Sequence, residues 1–148
     1  MPGIAPASRV PEPDPLDRLP HTGHARLPDR IVSLIPARHV VAERTLTDSD
    51  HWLNAAGRFP ATLLVELMAQ GAGLLIADES EPVGMALLAG IRGMHIHDSA
   101  AAGQTIRVEC SLTRRLGDVY LVRCASFSGA RALAHGDLQL RRVHGAPR

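Results

Sequence analysis

The rhythm of apolar and polar positions changes twice along the chain. Residues 31 to 47, IVSLIPARHVVAERTLT, are rich in β-branched side chains and broken by Pro36, which predicts two strands or one strand and its continuation. Residues 60 to about 77 carry the strongest helical stretch: Pro60 suits a first helical position, and Ala, Leu, Met, Glu and Gln dominate. From Met85 to Val143 the pattern returns to strands, MALLAGIRGMHIH, TIRVECSLTRRL, DVYLVRCASFSG and RALAHGDLQLRRV. Their separators, DSAAAGQ, GD and GA, are turn chemistry.

The predicted order is strand, strand, helix, then an antiparallel meander. The helix is apolar on nearly every face, so it should be buried nearly all round. A long antiparallel sheet wrapped around one central helix meets that demand, an α+β chain of single hotdog fold. A membrane span is the rival for residues 61 to 77, but Glu66, Gln70 and three small residues near its end argue against it. Upstream, residues 1 to 18 hold five prolines and little aliphatic periodicity, so they read as a mobile Pro-rich leader. LPHTGHARLPDR follows as an irregular lead-in. The expected organisation is a leader over 1–18, one hotdog domain over 19–143 and a tail over 144–148.

Composition narrows the chemistry. A length of 148 residues allows one domain with a real core, and a net charge of +1 creates no field to recruit nucleic acid or a membrane surface. All sixteen basic residues are arginine, which excludes lysine Schiff bases and lysine-containing phosphate loops. Cys110 and Cys124 lack metal or redox spacing. They lie equidistant from Gly117, so they could face each other across a hairpin as small buried hydrophobes. The N-terminus has no basic-then-apolar signal pattern, and a cytoplasmic location is expected.

On the helix, Thr62, Glu66 and Gln70 follow at i, i+4 steps and share one stripe. An ionised carboxylate among apolar neighbours is costly unless it is paired or stays protonated. Desolvation raises a carboxyl pKa, and a raised pKa makes a usable general acid. A structural glutamate that pairs with a neighbouring strand fits the residues as well, and they leave both readings open.

Four segments in order, LPHTGHARLPDRIV, VELMAQGAG, LLAGIRGMHIHDSAAAGQTIRVECSLTRR and ALAHGDLQLRRV, resemble the hotdog 3-hydroxyacyl-ACP dehydratases. The likeness runs over roughly residues 19 to 143. In that family the lead-in reads L-P-H-R-x-P-x-L-L-V-D-R-V. The centre reads G-H-F-P-G-N-P-V-M-P-G-x-x-x-x-E-A-x-A-Q. Aligning GRFP with G-H-F-P would put Arg58 in place of the catalytic histidine and delete a stretch before the glutamate. Aligning His51 with that histidine, and Phe59–Pro60–Ala61 with M-P-G, needs only one inserted loop residue, which is the smaller change. The second alignment also resembles the branch associated with aryl polyene and related polyketide chemistry, whose centre reads H-P-L…G-R-L-P-A…E…A-Q.

The resemblance implies dehydration of a (3R)-3-hydroxyacyl thioester on an acyl carrier protein to the trans-2-enoyl product, in a polyene polyketide or fatty-acid-like pathway. By this likeness His51 removes the α-proton and Glu66 protonates the departing hydroxyl. Backbone N–H groups near Pro60 and Ala61 meet the thioester carbonyl, and Gln70 holds the acid or a water. No metal or organic cofactor is implied. The family joins two protomers sheet edge to sheet edge, as a homodimer or a heterodimer with another hotdog subunit, and builds each site from both. Arg58, Arg92, Arg114 and Arg115 are candidates for docking an acidic carrier. His95 with His97, and His21 with His24, lack a third metal ligand in sequence and read as surface or structural residues. A non-catalytic or half-site subunit and a hotdog thioesterase are the competing functions.

Overall fold

The computed structural model describes residues 13–77 and 84–144. Among these residues six strands form one antiparallel sheet, and one α-helix lies across it. The strands are β1 (Arg30–Ile35), β2 (His39–Thr45), β3 (Gly84–Ile96), β4 (Thr105–Leu116), β5 (Val119–Ser128) and β6 (Arg131–His144). The helix, α1, spans Ala61–Ile76. Across the sheet the order is β1-β2-β4-β5-β6-β3, so β1 and β3 are its edges.

The expected α+β hotdog architecture is present. Alternation along the central strands puts Ile106, Val108 and Cys110 of β4, Tyr120, Val122 and Cys124 of β5, and Leu138 and Leu140 of β6 in the core with Leu64, Leu67, Met68 and Leu75 of α1. Gly117 and Gly129 take left-handed φ values of 58° and 59°, closing the β4–β5 and β5–β6 hairpins. Symmetric spacing about the first of these turns sets Cys110 directly opposite Cys124, both fully buried and free. Burial, helped by the neighbouring Cys124 and Glu109, pushes the Cys110 thiol well above its ordinary range, so it behaves as a small hydrophobe.

Gly136 on β6 is a different case. A side chain there would meet the Met94 backbone at 2.9 Å, where β3 bulges between Arg92 and His95.

Three expectations change. Pro60 is the extended N-cap rather than the first helical residue. Residues 1–12 of the expected mobile leader lie outside the described residues, but Pro15–Arg18 form a 3-10 turn that buries Leu16 against the core. The helix is enclosed over its second half only: Ala61 and Thr62 are exposed, and Leu63, Val65, Glu66 and Ala69 are partly so. One sheet covers one side of the helix, and the first turn, Ala61 and Thr62, is left open. Among the described residues no helix is long and apolar enough to cross a membrane.

Candidate active site

The helix start is anchored without a side-chain cap. The Leu63 and Leu64 N–H groups both donate to the Pro60 carbonyl, at 3.1 and 3.0 Å. The first-turn N–H groups of Ala61 and Thr62 therefore have no partner within the helix, and both residues are exposed. Outward-pointing donors at the positive end of a helix suit a developing oxyanion.

One turn further on, Glu66 is held by its own helix. The Gln70 amide nitrogen donates to Glu66 Oε1 at 3.0 Å and to the Ala25 carbonyl at 2.7 Å. The Gln70 oxygen accepts the Leu27 N–H at 2.9 Å, so a buried amide ties the acid's helix to the lead-in. The lead-in returns a second contact: His21 Nε2 lies 3.6 Å from Glu66 Oε1. The Glu66 side chain is 42% exposed, so the fully desolvated acid expected from its apolar neighbours is not found in one chain.

His51 lies elsewhere, on an exposed turn between β2 and α1. Its neighbour Asp50 takes a two-pronged grip from Arg44, both contacts at 2.9 Å, and also accepts the Trp52 N–H at 3.0 Å. Arg44 in turn donates to the Leu27 carbonyl at 2.6 Å, and its guanidinium lies over the Phe59 ring. The His51 ring stacks on His24 at 4.2 Å and meets the edge of Trp52 at 4.8 Å. The Trp52 indole N–H donates to the His24 carbonyl at 2.6 Å. Lead-in residues thus touch both halves of the candidate pair, while no hydrogen bond or ion pair joins His51 to Glu66 within the chain.

Glu66, Gln70 and His21 line a cavity of about 210 Å³, closed by Gly73 on α1, Leu87 on β3 and Leu140 on β6. His51 is not among its lining residues. Its walls are mainly aliphatic, and β3, one of the two sheet edges, forms one of them. That edge also exposes Leu87, Leu88, Ile91 and Ile96.

Arg58 is engaged in the loop: it donates to Ser99 Oγ at 2.7 Å, the Ser99 carbonyl at 3.0 Å and Asp98 at 3.2 Å. Of the other arginines considered for docking, Arg115 bonds the Gly117 carbonyl and covers Tyr120, while Arg92 and Arg114 are exposed. The structure does bring a third imidazole to His95 and His97, from His135 on β6. His97 Nε2 and His135 Nδ1 are 2.8 Å apart, and the three rings stack with planes within 26° of one another. Parallel rings do not converge their lone pairs on one ion, and among the described residues no group of three His, Cys, Asp or Glu is placed to hold a metal.

Sequence reasoning missed His21, Arg44 and Asp50 as supports of the pair. The L-P-H of the lead-in carried the only signal for His21. Nothing local marks an inward arginine on β2.

An antiparallel sheet wrapped on one long helix is the hotdog fold. Residues 13–145 match the ApeP-like family model, ApeP dehydratase, and the chain belongs to that family of dehydratases. The chain is 28% identical over 127 residues to the 3-hydroxyacyl-[acyl-carrier-protein] dehydratase FabZ of Listeria monocytogenes, covering 81% of this chain and 83% of the relative. The enzyme of that name from Myxococcus xanthus is 29% identical over 133 residues, covering 82% and 84%. Among solved structures, the dehydratase heterocomplex ApeI:P from Xenorhabdus doucetiae superposes with a TM-score of 0.76 at 19% identity, over 90% of this chain and 93% of that one. A hypothetical thioesterase with coenzyme A from Streptococcus pneumoniae gives 0.63 at 14% identity, over 77% and 84%. The resemblance drawn from the four sequence segments thus holds, in both the dehydratase family and its ApeP-like branch.

Proposed function

We propose that this cytoplasmic enzyme dehydrates (3R)-3-hydroxyacyl-ACP to trans-2-enoyl-ACP, in a polyene polyketide or fatty-acid-like pathway, with His51 as base and Glu66 as acid. The observation that carries the reading is the Glu66 carboxylate, held through Oε1 by Gln70 on the wall of an aliphatic cavity. The acyl chain lies in that cavity, and its thioester carbonyl meets the free N–H groups that follow Pro60. His51 takes the α-proton and the electron pair of that C–H bond becomes the double bond. The C–O bond breaks with its pair, and the oxygen leaves as water with the Glu66 proton.

His51 of one protomer serves Glu66 of its neighbour. Support comes from the two residues standing apart within one chain, and from the apolar free edge of β3 beside the acid's cavity. Two such edges joined would continue the sheet and place a second chain beside Glu66. An acidic carrier protein would meet the exposed Arg92 and Arg114.

A heterodimer with another hotdog subunit, this chain supplying half of a site, is the second reading. It is favoured by likeness to a structure described as a dehydratase heterocomplex. The pure protein incubated with a 3-hydroxyacyl carrier protein should release enoyl product. Activity should fall by about 10²–10⁴-fold in His51→Ala and Glu66→Gln. Full activity in both variants would overturn the residue roles. Activity gained only with a co-purified hotdog subunit would establish the second reading, and free acid as product would establish a thioesterase.

A further inference from the structure

Glu66 has two carboxyl oxygens in unlike surroundings. Oε1 accepts the Gln70 amide at 3.0 Å and faces His21 Nε2 at 3.6 Å. Among the described residues Oε2 has no hydrogen-bond partner. The His21 ring is placed unevenly too: Nδ1 is buried without a partner, while Nε2 looks toward the carboxylate along the cavity wall. A buried N–H left without an acceptor is costly, whereas a bare ring nitrogen is a weaker loss. The ring therefore carries its proton on Nε2, and Oε1 sits between two N–H donors. A carboxyl oxygen facing two donors is the poorer seat for the acid proton.

We propose that His21 is a positioning residue for the acid: with Gln70 it confines the Glu66 proton to Oε2, the oxygen free to meet substrate. The idea rests on the dehydratase reading of Glu66. When the substrate C–O bond breaks with its electron pair, the Oε2–H bond breaks as well and the proton joins the departing oxygen as water. The carboxylate left behind keeps its charge beside the Gln70 and His21 donors.

Nitrogen NMR of the full-length protein labelled in its histidines tests the geometry without any substrate. His21 should hold its proton on Nε2, and its ring signals should move in Glu66→Gln. A proton on Nδ1, or signals unmoved by that change, would overturn the proposal. Kinetics on a 3-hydroxyacyl carrier protein provide the second arm. His21→Ala should lower kcat by about 10–100-fold with KM changed less than about threefold. His21→Gln, which returns an N–H near the position of Nε2, should recover most of the loss. A His21→Ala variant with wild-type kcat, or a Gln variant as slow as the Ala one, would contradict the role. A wild-type protein that makes no enoyl product, yet whose His21 signals follow Glu66, would reject the dehydratase reading and keep the pairing.

Discussion

Gln70 grips Glu66 with its nitrogen, at 3.0 Å, and the Leu27 N–H with its oxygen, at 2.9 Å. One buried amide therefore fixes both the candidate acid and the strap of chain that runs past it. Its removal acts on two observables. Gln70→Ala strands the buried Leu27 N–H, a loss of about 1–3 kcal/mol, while the exposed Ala25 residue can turn its carbonyl to water. The urea midpoint should fall accordingly. In the surviving fold, kcat should drop by about 10–100-fold as the carboxyl loses its orientation.

Asp50 anchors the His51 turn through the Arg44 guanidinium, whose side chain is only 10% exposed. Asp50→Ala leaves that charge buried and unpaired, a loss of about 3–5 kcal/mol. Chemical denaturation of Asp50→Ala and of the double variant Asp50→Ala with Arg44→Met separates the cause: the double variant should be the more stable of the two.

Ala37 closes the β1–β2 turn at φ 57°, the one non-glycine residue with positive φ among those described. That conformation costs an alanine about 1–2 kcal/mol. Glycine adopts it freely but gives up about 0.5–1 kcal/mol in unfolded-chain entropy. Ala37→Gly should therefore raise stability by up to about 1.5 kcal/mol, read as a higher denaturant midpoint. The Ala37 N–H bond to the Leu75 carbonyl, at 3.1 Å, is kept.

Asp98 sets an acid-sensitive point in the loop that Arg58 clamps. The Ser99 N–H first, then the Arg131 hydrogen bond, hold its carboxyl below the usual range, with the charges of Arg131 and Arg58 adding. A folded value below the unfolded one gives stability that is fully present above about pH 4 and lost as pH falls through the folded value. Denaturation curves between neutral pH and pH 3 should show a shallower acid loss for Asp98→Asn than for wild type. An equal acid loss would remove Asp98 from the cause.

What could be read along the chain was what repeats locally. The helix announced itself by its residue types and the strands by β-branched runs between turn residues, and the Cys110–Cys124 pairing followed from equal distances to a turn glycine. Glu66 and Gln70 stood out because they are polar on an apolar helix. The supports of the site did not stand out, because they meet across long separations. His21 reaches Glu66 over 45 positions and Leu27 reaches Gln70 over 43. Arg44 alternates into the protein like its apolar neighbours, and only the fold reveals Asp50 waiting for it. The half-open helix was illegible for a related reason: apolar residues on every face do not say which of them the sheet covers.

The most direct measurement mixes two inactive proteins. His51→Ala and Glu66→Gln are co-refolded so that mixed dimers form, verified by native mass spectrometry, and enoyl product is followed on a 3-hydroxyacyl carrier protein. If each site takes His51 from one protomer and Glu66 from the other, a mixed dimer has one intact site, and activity should return to about one quarter of wild type. Mixed dimers that form and stay inactive, beside an active wild type, would contradict the shared site.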